Sequence, residues 1–78
     1  MQAKIFVTLK KGVHDPQGET VAHALKSMGY GEVNGVRIGK YIEVDLKGAE
    51  GGEARTRLAQ MCEKLLANTV IESYRIEL

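Results

Sequence analysis

From Val36 to Leu46 the apolar residues Val36, Ile38, Ile42, Val44 and Leu46 fall on even positions, while Arg37, Tyr41, Glu43 and Asp45 fall on odd ones. A period of two predicts a strand with one apolar face. A two-residue hairpin loop at Gly39 and Lys40 would set Ile38 opposite Tyr41 and Val36 opposite Glu43, mixing apolar with polar on one face. One long strand, bent at Gly39, keeps the faces pure. Such a strand runs about 36 Å at roughly 3.3 Å per residue, whereas a compact chain of this length is only about 30 Å across. The strand is therefore expected to outrun its own domain. Unpaired backbone groups beside an apolar face call for cover from another chain, so the pattern predicts a subunit.

Three further periodic segments complete the architecture. Ile5, Val7 and Leu9 alternate with Phe6 and Thr8 until Lys10, Lys11 and Gly12 close a first strand. Asp15 followed by Pro16 reads as a helix cap and first helical residue, with Val21, Leu25 and Met28 as the apolar stripe and Gly29 as the stop. Residues Tyr30 to Gly35 read as a loop entering the long strand. A glycine-rich connector over Lys47 to Gly52 precedes a second helix, whose stripe comprises Ala54, Leu58, Met61, Cys62, Leu65 and Leu66, with Asn68 as a left-handed cap. Val70, Tyr74, Ile76 and Leu78 then alternate with Ser73, Arg75 and Glu77 in a final strand. The order β-α-β-α-β, with both helices on one face of an antiparallel or mixed sheet, predicts an α+β fold related to the ferredoxin-like arrangement.

The chain has 78 residues, enough for one domain with a thin stability margin. With 11 Lys and Arg against 10 Asp and Glu, its formal charge of +1 supplies no strong attraction to nucleic acid or an anionic membrane, and neither partner is expected. The lone Cys62 excludes an internal disulfide and a four-cysteine zinc site, and fits the cytosol best. The opening residues hold too short an apolar run for a signal peptide, and no stretch approaches the roughly 18 apolar residues of a membrane span. A cytoplasmic protein without processing is the expectation.

Candidate chemistry is sparse. His14 beside Asp15 could form an acid/base pair, but adjacent side chains rarely face each other and Asp15 already serves as a cap. His23 lacks companions at metal-ligand spacing. Cys62 lies on an apolar helical stripe and reads as core rather than nucleophile. The Gly48 to Gly52 loop superficially resembles a phosphate cradle, yet it lacks the Lys-Ser or Lys-Thr of a P-loop, and Glu50 and Glu53 would repel phosphate. Lys10, Lys11, Arg37 and Lys40 form a loose basic set on the solvent or partner side, and without tryptophan they have no stacking platform for bases. No catalytic, cofactor or metal site is expected in the chain.

Two stretches go beyond generic patterning. Val7-Thr8-Leu9-Lys10-Lys11 running on to Val13 and Asp15-Pro16-Gln17-Gly18, and then Val36-Arg37-Ile38-Gly39-Lys40-Tyr41-Ile42-Glu43, closely resemble the PurS family. This is the small subunit of phosphoribosylformylglycinamidine synthase in bacteria and archaea. The likeness extends to Cys62-Glu63-Lys64-Leu65-Leu66-Ala67-Asn68 and Val70-Ile71-Glu72, whereas Gly48 to Gly52 is less typical. The resemblance implies a part in the step of purine synthesis that converts formylglycinamide ribonucleotide, ATP and glutamine to formylglycinamidine ribonucleotide. There the glutaminase PurQ releases ammonia and the synthetase PurL uses ATP and Mg. The small subunit assembles them and assists ammonia transfer, binding no cofactor itself, as a homodimer or homotetramer.

Matched by position, the expected contact surface is Asp15, Pro16, Gln17, Gly18, Arg37, Ile38, Gly39, Lys40 and Tyr41. Asp15 with Pro16 also starts a helix and Gly39 also permits a bend, so a purely structural reading stays open for these. Arg37, Lys40 and Tyr41 suit rims and anchors of an interface. Two other readings compete: a ferredoxin-like regulatory module with a small ligand near Gly29 and Gly31 at a subunit interface, and an enzyme centred on His14 and Asp15.

Overall fold

The first strand, β1 (Gln2–Leu9), lies in the middle of the sheet. The structure is a computed structural model and describes residues 1–48 and 51–78. After β1 come helix α1 (Pro16–Ser27), strand β2 (Gly39–Asp45), helix α2 (Gly51–Met61) with a π-helical turn over Cys62–Leu66, and strand β3 (Glu72–Glu77). The strands are antiparallel in the order β2-β1-β3, with Ile5 opposite both Ile42 and Ile76. This is the expected α+β order. The expected connector over Gly48 to Gly52 includes Ala49 and Glu50, which lie outside the described residues.

Register explains the core. Ala3, Ile5 and Val7 share one face of β1 and are buried, flanked by Val44 and Ile42 from β2 and by Ile76 and Tyr74 from β3. Leu58 and Cys62 close over this face, so α2 covers the inner side of the sheet. Tyr74 fastens the π-helical turn by donating its hydroxyl to Glu63 Oε2 at 2.8 Å. On the other side of the sheet Phe6 packs beside Tyr41, with ring centroids 5.1 Å apart, and the Arg75 guanidinium lies 4.4 Å from the Phe6 ring centre. Such aromatic and cation–π contacts stabilise the sheet face opposite α2.

The ends of α1 follow the sequence closely. Asp15 accepts from the Gly18 N–H at 2.9 Å, and Pro16 takes the first helical position. Gly29 has φ 103°, and the Tyr30 N–H donates to Leu25 O while the Gly29 N–H donates to Lys26 O, closing a Schellman motif. The buried face differs from the expected one. Gly18 and Ala22 are the buried residues of α1, whereas Met28 is 69% exposed and Val21 is also exposed. The small residues admit the backbone of the returning segment, and α1 packs on that segment rather than on a strand. The larger apolar stripe stays open.

The long strand is paired only from Gly39 to Asp45: the Ile38 N–H, opposite Leu9 at the end of β1, goes to Asp15 instead, and β1 offers 36 and 37 no ladder partner. What overhangs the sheet is α1 together with the return segment. The radius of gyration is 15.8 Å and the longest extent 48 Å, against about 11.5 Å expected for the radius of a compact chain of this length.

Three local expectations are corrected. Leu65 is 83% exposed, because the Ala67 N–H bonds back to Cys62 O across five residues and the wider turn keeps Leu66 against the core but brings in Ala67 where Leu65 was expected. Asn68 is not left-handed; no residue other than glycine has positive φ among the described residues. Its side-chain oxygen accepts from the Val70 N–H, forming a turn that leaves Val70 exposed and outside β3.

Candidate functional site: the cleft where the two motifs meet

The two stretches singled out in the sequence converge on one cleft of about 450 Å³, lined by Val7, Thr8, Leu9, Asp15, Pro16, Gln17, Ile38, Gly39, Lys40 and Glu72. It lies at the junction between the sheet and the overhanging arm, with β1, β2 and Glu72 on one side and the start of α1 with Ile38 on the other. Six of the nine expected contact residues line it. Of the remaining three, Gly18 sits under the return segment, Arg37 donates from its guanidinium to Leu9 O, and Tyr41 stands on the open face of the sheet.

Asp15 is the hub. One carboxylate oxygen caps α1, and the other accepts from the Ile38 N–H at 2.9 Å, joining residues 23 apart in the chain. The Ile38 N–H above all, and then that of Gly18, hold its carboxyl below the usual aspartate range. Both oxygens are thus engaged by backbone donors. His14 turns elsewhere, its Nε2 lying 3.3 Å from Glu19 Oε2, so the imagined acid/base pair with Asp15 does not form.

Gly39 is required for close approach, since a Cβ there would fall 2.3 Å from Val7 O and 2.8 Å from Thr8 Cγ2. Left-handed backbone plays no part here: Gly39 is not among the glycines with positive φ. Lys40 pairs with Val7 and so takes the inner phase of β2, separated from Tyr41, which pairs with Phe6 on the outer phase. There the ammonium of Lys40 lies 3.8 Å from Glu72 Oε2, and Glu72 also accepts from the Asn68 N–H through Oε1 at 2.7 Å. Glu72 was missing from the expected site. It could have been found: Lys40 and Glu72 are opposite charges at the inward phase of two strands, which calls for a partner at the sheet's end.

Tyr41 donates to Glu43 Oε2 at 2.9 Å, a bond that raises its pKa. Cys62 is buried and burial pushes its thiol up, the reverse of what a nucleophile needs. Among the described residues no group of three or more His, Cys, Asp or Glu is placed to hold a metal, and no helix is long and apolar enough to cross a membrane.

Fold and cleft define a small α+β protein whose most ordered polar arrangement joins its own parts and whose arm extends away from its core. Comparison with known proteins gives the family. A profile described as "PurS: Phosphoribosylformylglycinamidine (FGAM) synthase" matches residues 2–78. The phosphoribosylformylglycinamidine synthase subunit PurS of Bacillus subtilis is 53% identical over 76 residues, covering 97% of this chain and 89% of that protein. A crystal form of B. subtilis PurS superposes with a TM-score of 0.85, covering 97% of this chain and 94% of the other. A chain in the structure of PurLQS from Thermotoga maritima gives a TM-score of 0.88 at 30% identity, covering 97% and 93%. The chain belongs to the PurS family, and it is a subunit of phosphoribosylformylglycinamidine synthase in purine biosynthesis.

Proposed function

We propose that this chain is the non-catalytic assembly subunit of the synthase, self-associating as a dimer or tetramer in the cytoplasm and bridging PurQ and PurL while assisting ammonia transfer. The observation that carries this reading is the arm. Val21, Met28, Tyr30 and Ile38 are exposed on α1 and its return, and a chain this elongated buries too little of its own apolar surface to be complete alone. The T. maritima relative in the PurLQS structure supports assembly with those two partners. ATP and Mg then act at the synthetase, and this chain contributes surface: Asp15, Gly18 and Gly39 fix the junction, while Pro16, Gln17, Arg37, Ile38, Lys40 and Tyr41 offer contacts around it.

The test is amidation of formylglycinamide ribonucleotide by the two partner subunits, with and without this chain, using glutamine or free ammonia as nitrogen source. Glutamine-dependent turnover should require the chain and ammonia-dependent turnover should not. Equal glutamine-dependent rates in its absence would overturn the assembly role. Molar mass in solution, alone and with both partners, should exceed that of one chain in each case.

A further inference from the structure

A helix cap needs one acceptor, and Asp15 presents two. Oδ1 receives the Gly18 N–H within α1, and Oδ2 receives the Ile38 N–H from the far end of the return segment, each at 2.9 Å. The fit around this bridge is tight: a Cβ on Gly18 would fall 2.1 Å from Val36 O and 2.8 Å from Asp15 Oδ2. Beyond the bridge the return segment runs along α1, where Asn34, Gly35 and Val36 share a groove with Ala22, His23 and Lys26. Among the described residues no strand makes an extensive contact with α1. On the sheet side, the Arg37 guanidinium reaches Leu9 O, next to the bridged residue.

We infer that Asp15 is a positioning residue whose second carboxylate oxygen fastens α1 to residues 36–38, so that arm and return segment hold one orientation relative to the sheet. The hydrophobic core cannot perform this task, since it lies under α2. Nor can the helix cap, which engages only the first oxygen. With the fastener gone, the return segment comes loose from α1 while β1, β2 and β3 keep their ladder. The inference stands apart from the assembly reading, because it concerns the free chain and is read without partner subunits.

The experiment is residue-resolved amide hydrogen exchange on the full chain, comparing wild type with Asp15→Ser, Asp15→Ala and Gly18→Ala. Serine retains an N-cap acceptor but cannot serve both donors. Asp15→Ser should speed exchange at Ile38 by about threefold to tenfold, the range of a single hydrogen bond, leaving the amides of Gly18, Ile5 and Val7 near wild-type rates. Asp15→Ala should release Gly18 and Ile38 together, and Gly18→Ala should release Ile38 with the carboxylate still present. Wild-type exchange at Ile38 in Asp15→Ser would overturn the inference, reducing Asp15 to a cap. Equal acceleration at Ile38, Gly18 and Ile5 would overturn it too, because the effect would then be loss of overall stability.

Discussion

The sheet with α2 and the arm formed by α1 with its return segment are built by different physics. In the first, Ala3, Ile5, Val7, Leu58 and Cys62 are buried against one another, and Lys4 to Thr8 of β1 each have a ladder neighbour on both sides. In the second, the buried residues are Gly18 and Ala22, and the larger apolar side chains Val21 and Met28 face outward. Burial of area holds the sheet body together. Directional contacts hold the arm: one carboxylate, one guanidinium and a glycine without a side chain in the way. A region built the first way is self-sufficient, and one built the second way keeps its shape but leaves apolar surface for a neighbour.

Substitutions separate the two regions. The largest loss is expected in the body: Leu58→Ala removes a fully buried side chain and should cost about 2–5 kcal/mol, seen as a lower midpoint in urea unfolding. A near-wild-type midpoint would mean that Leu58 is not central to the core. At the junction, Gly39→Val sets a branched side chain against Val7 O and should cost on the order of 1–3 kcal/mol, loosening the Thr8 end of the β1–β2 ladder. Full tolerance would show that the two strands can move apart there. Gly39→Ala should lie between wild type and valine.

On the arm the ranking by stability reverses into a ranking by association. Val21→Glu with Met28→Glu changes exposed residues, so in the isolated chain it should shift stability by no more than about 0.5 kcal/mol per site. Sedimentation or light scattering should nevertheless show smaller assemblies, and unchanged assembly would remove this stripe from the contact surface. The smallest effect concerns pH. Because the native Asp15 pKa is depressed, chiefly by the Ile38 N–H and then by that of Gly18, the unfolded state binds more protons as pH falls. The stabilisation is present above the ordinary aspartate value of about 3.9 and is lost as pH drops through the lower native value. Titration of the Asp15 carboxyl carbon by NMR should therefore give a midpoint below that ordinary value; a midpoint at or above it would contradict the bridge.

Much of this was readable before folding. The alternation in β1 and β2, the Asp15–Pro16 start and Gly29 stop of α1, and the Leu58–Cys62 stripe of α2 are short-range patterns whose physical causes act within a few residues. Leu65 and Val70 were misplaced for an equally physical reason. The wide turn over Cys62–Leu66 shifts the angular phase at the helix end and turns Leu65 outward, while the Asn68 side chain closes a turn that leaves Val70 outside β3. At the cleft, the motif residues are legible as a set, but their division of labour is not: residue type alone puts Lys40 with Arg37 on the open side, whereas register places it inward against Glu72.

By itself, then, the sequence determined the order of elements, the caps, the inner face of the sheet and the family, because local propensity and periodicity are carried by neighbouring residues. Tertiary structure alone decided that α1 would lie on its own return segment rather than on the sheet, and that Asp15 would hold Ile38 from 23 positions away. Contacts between residues so distant in the chain depend on how whole elements meet in space, and a one-dimensional pattern holds no record of that meeting.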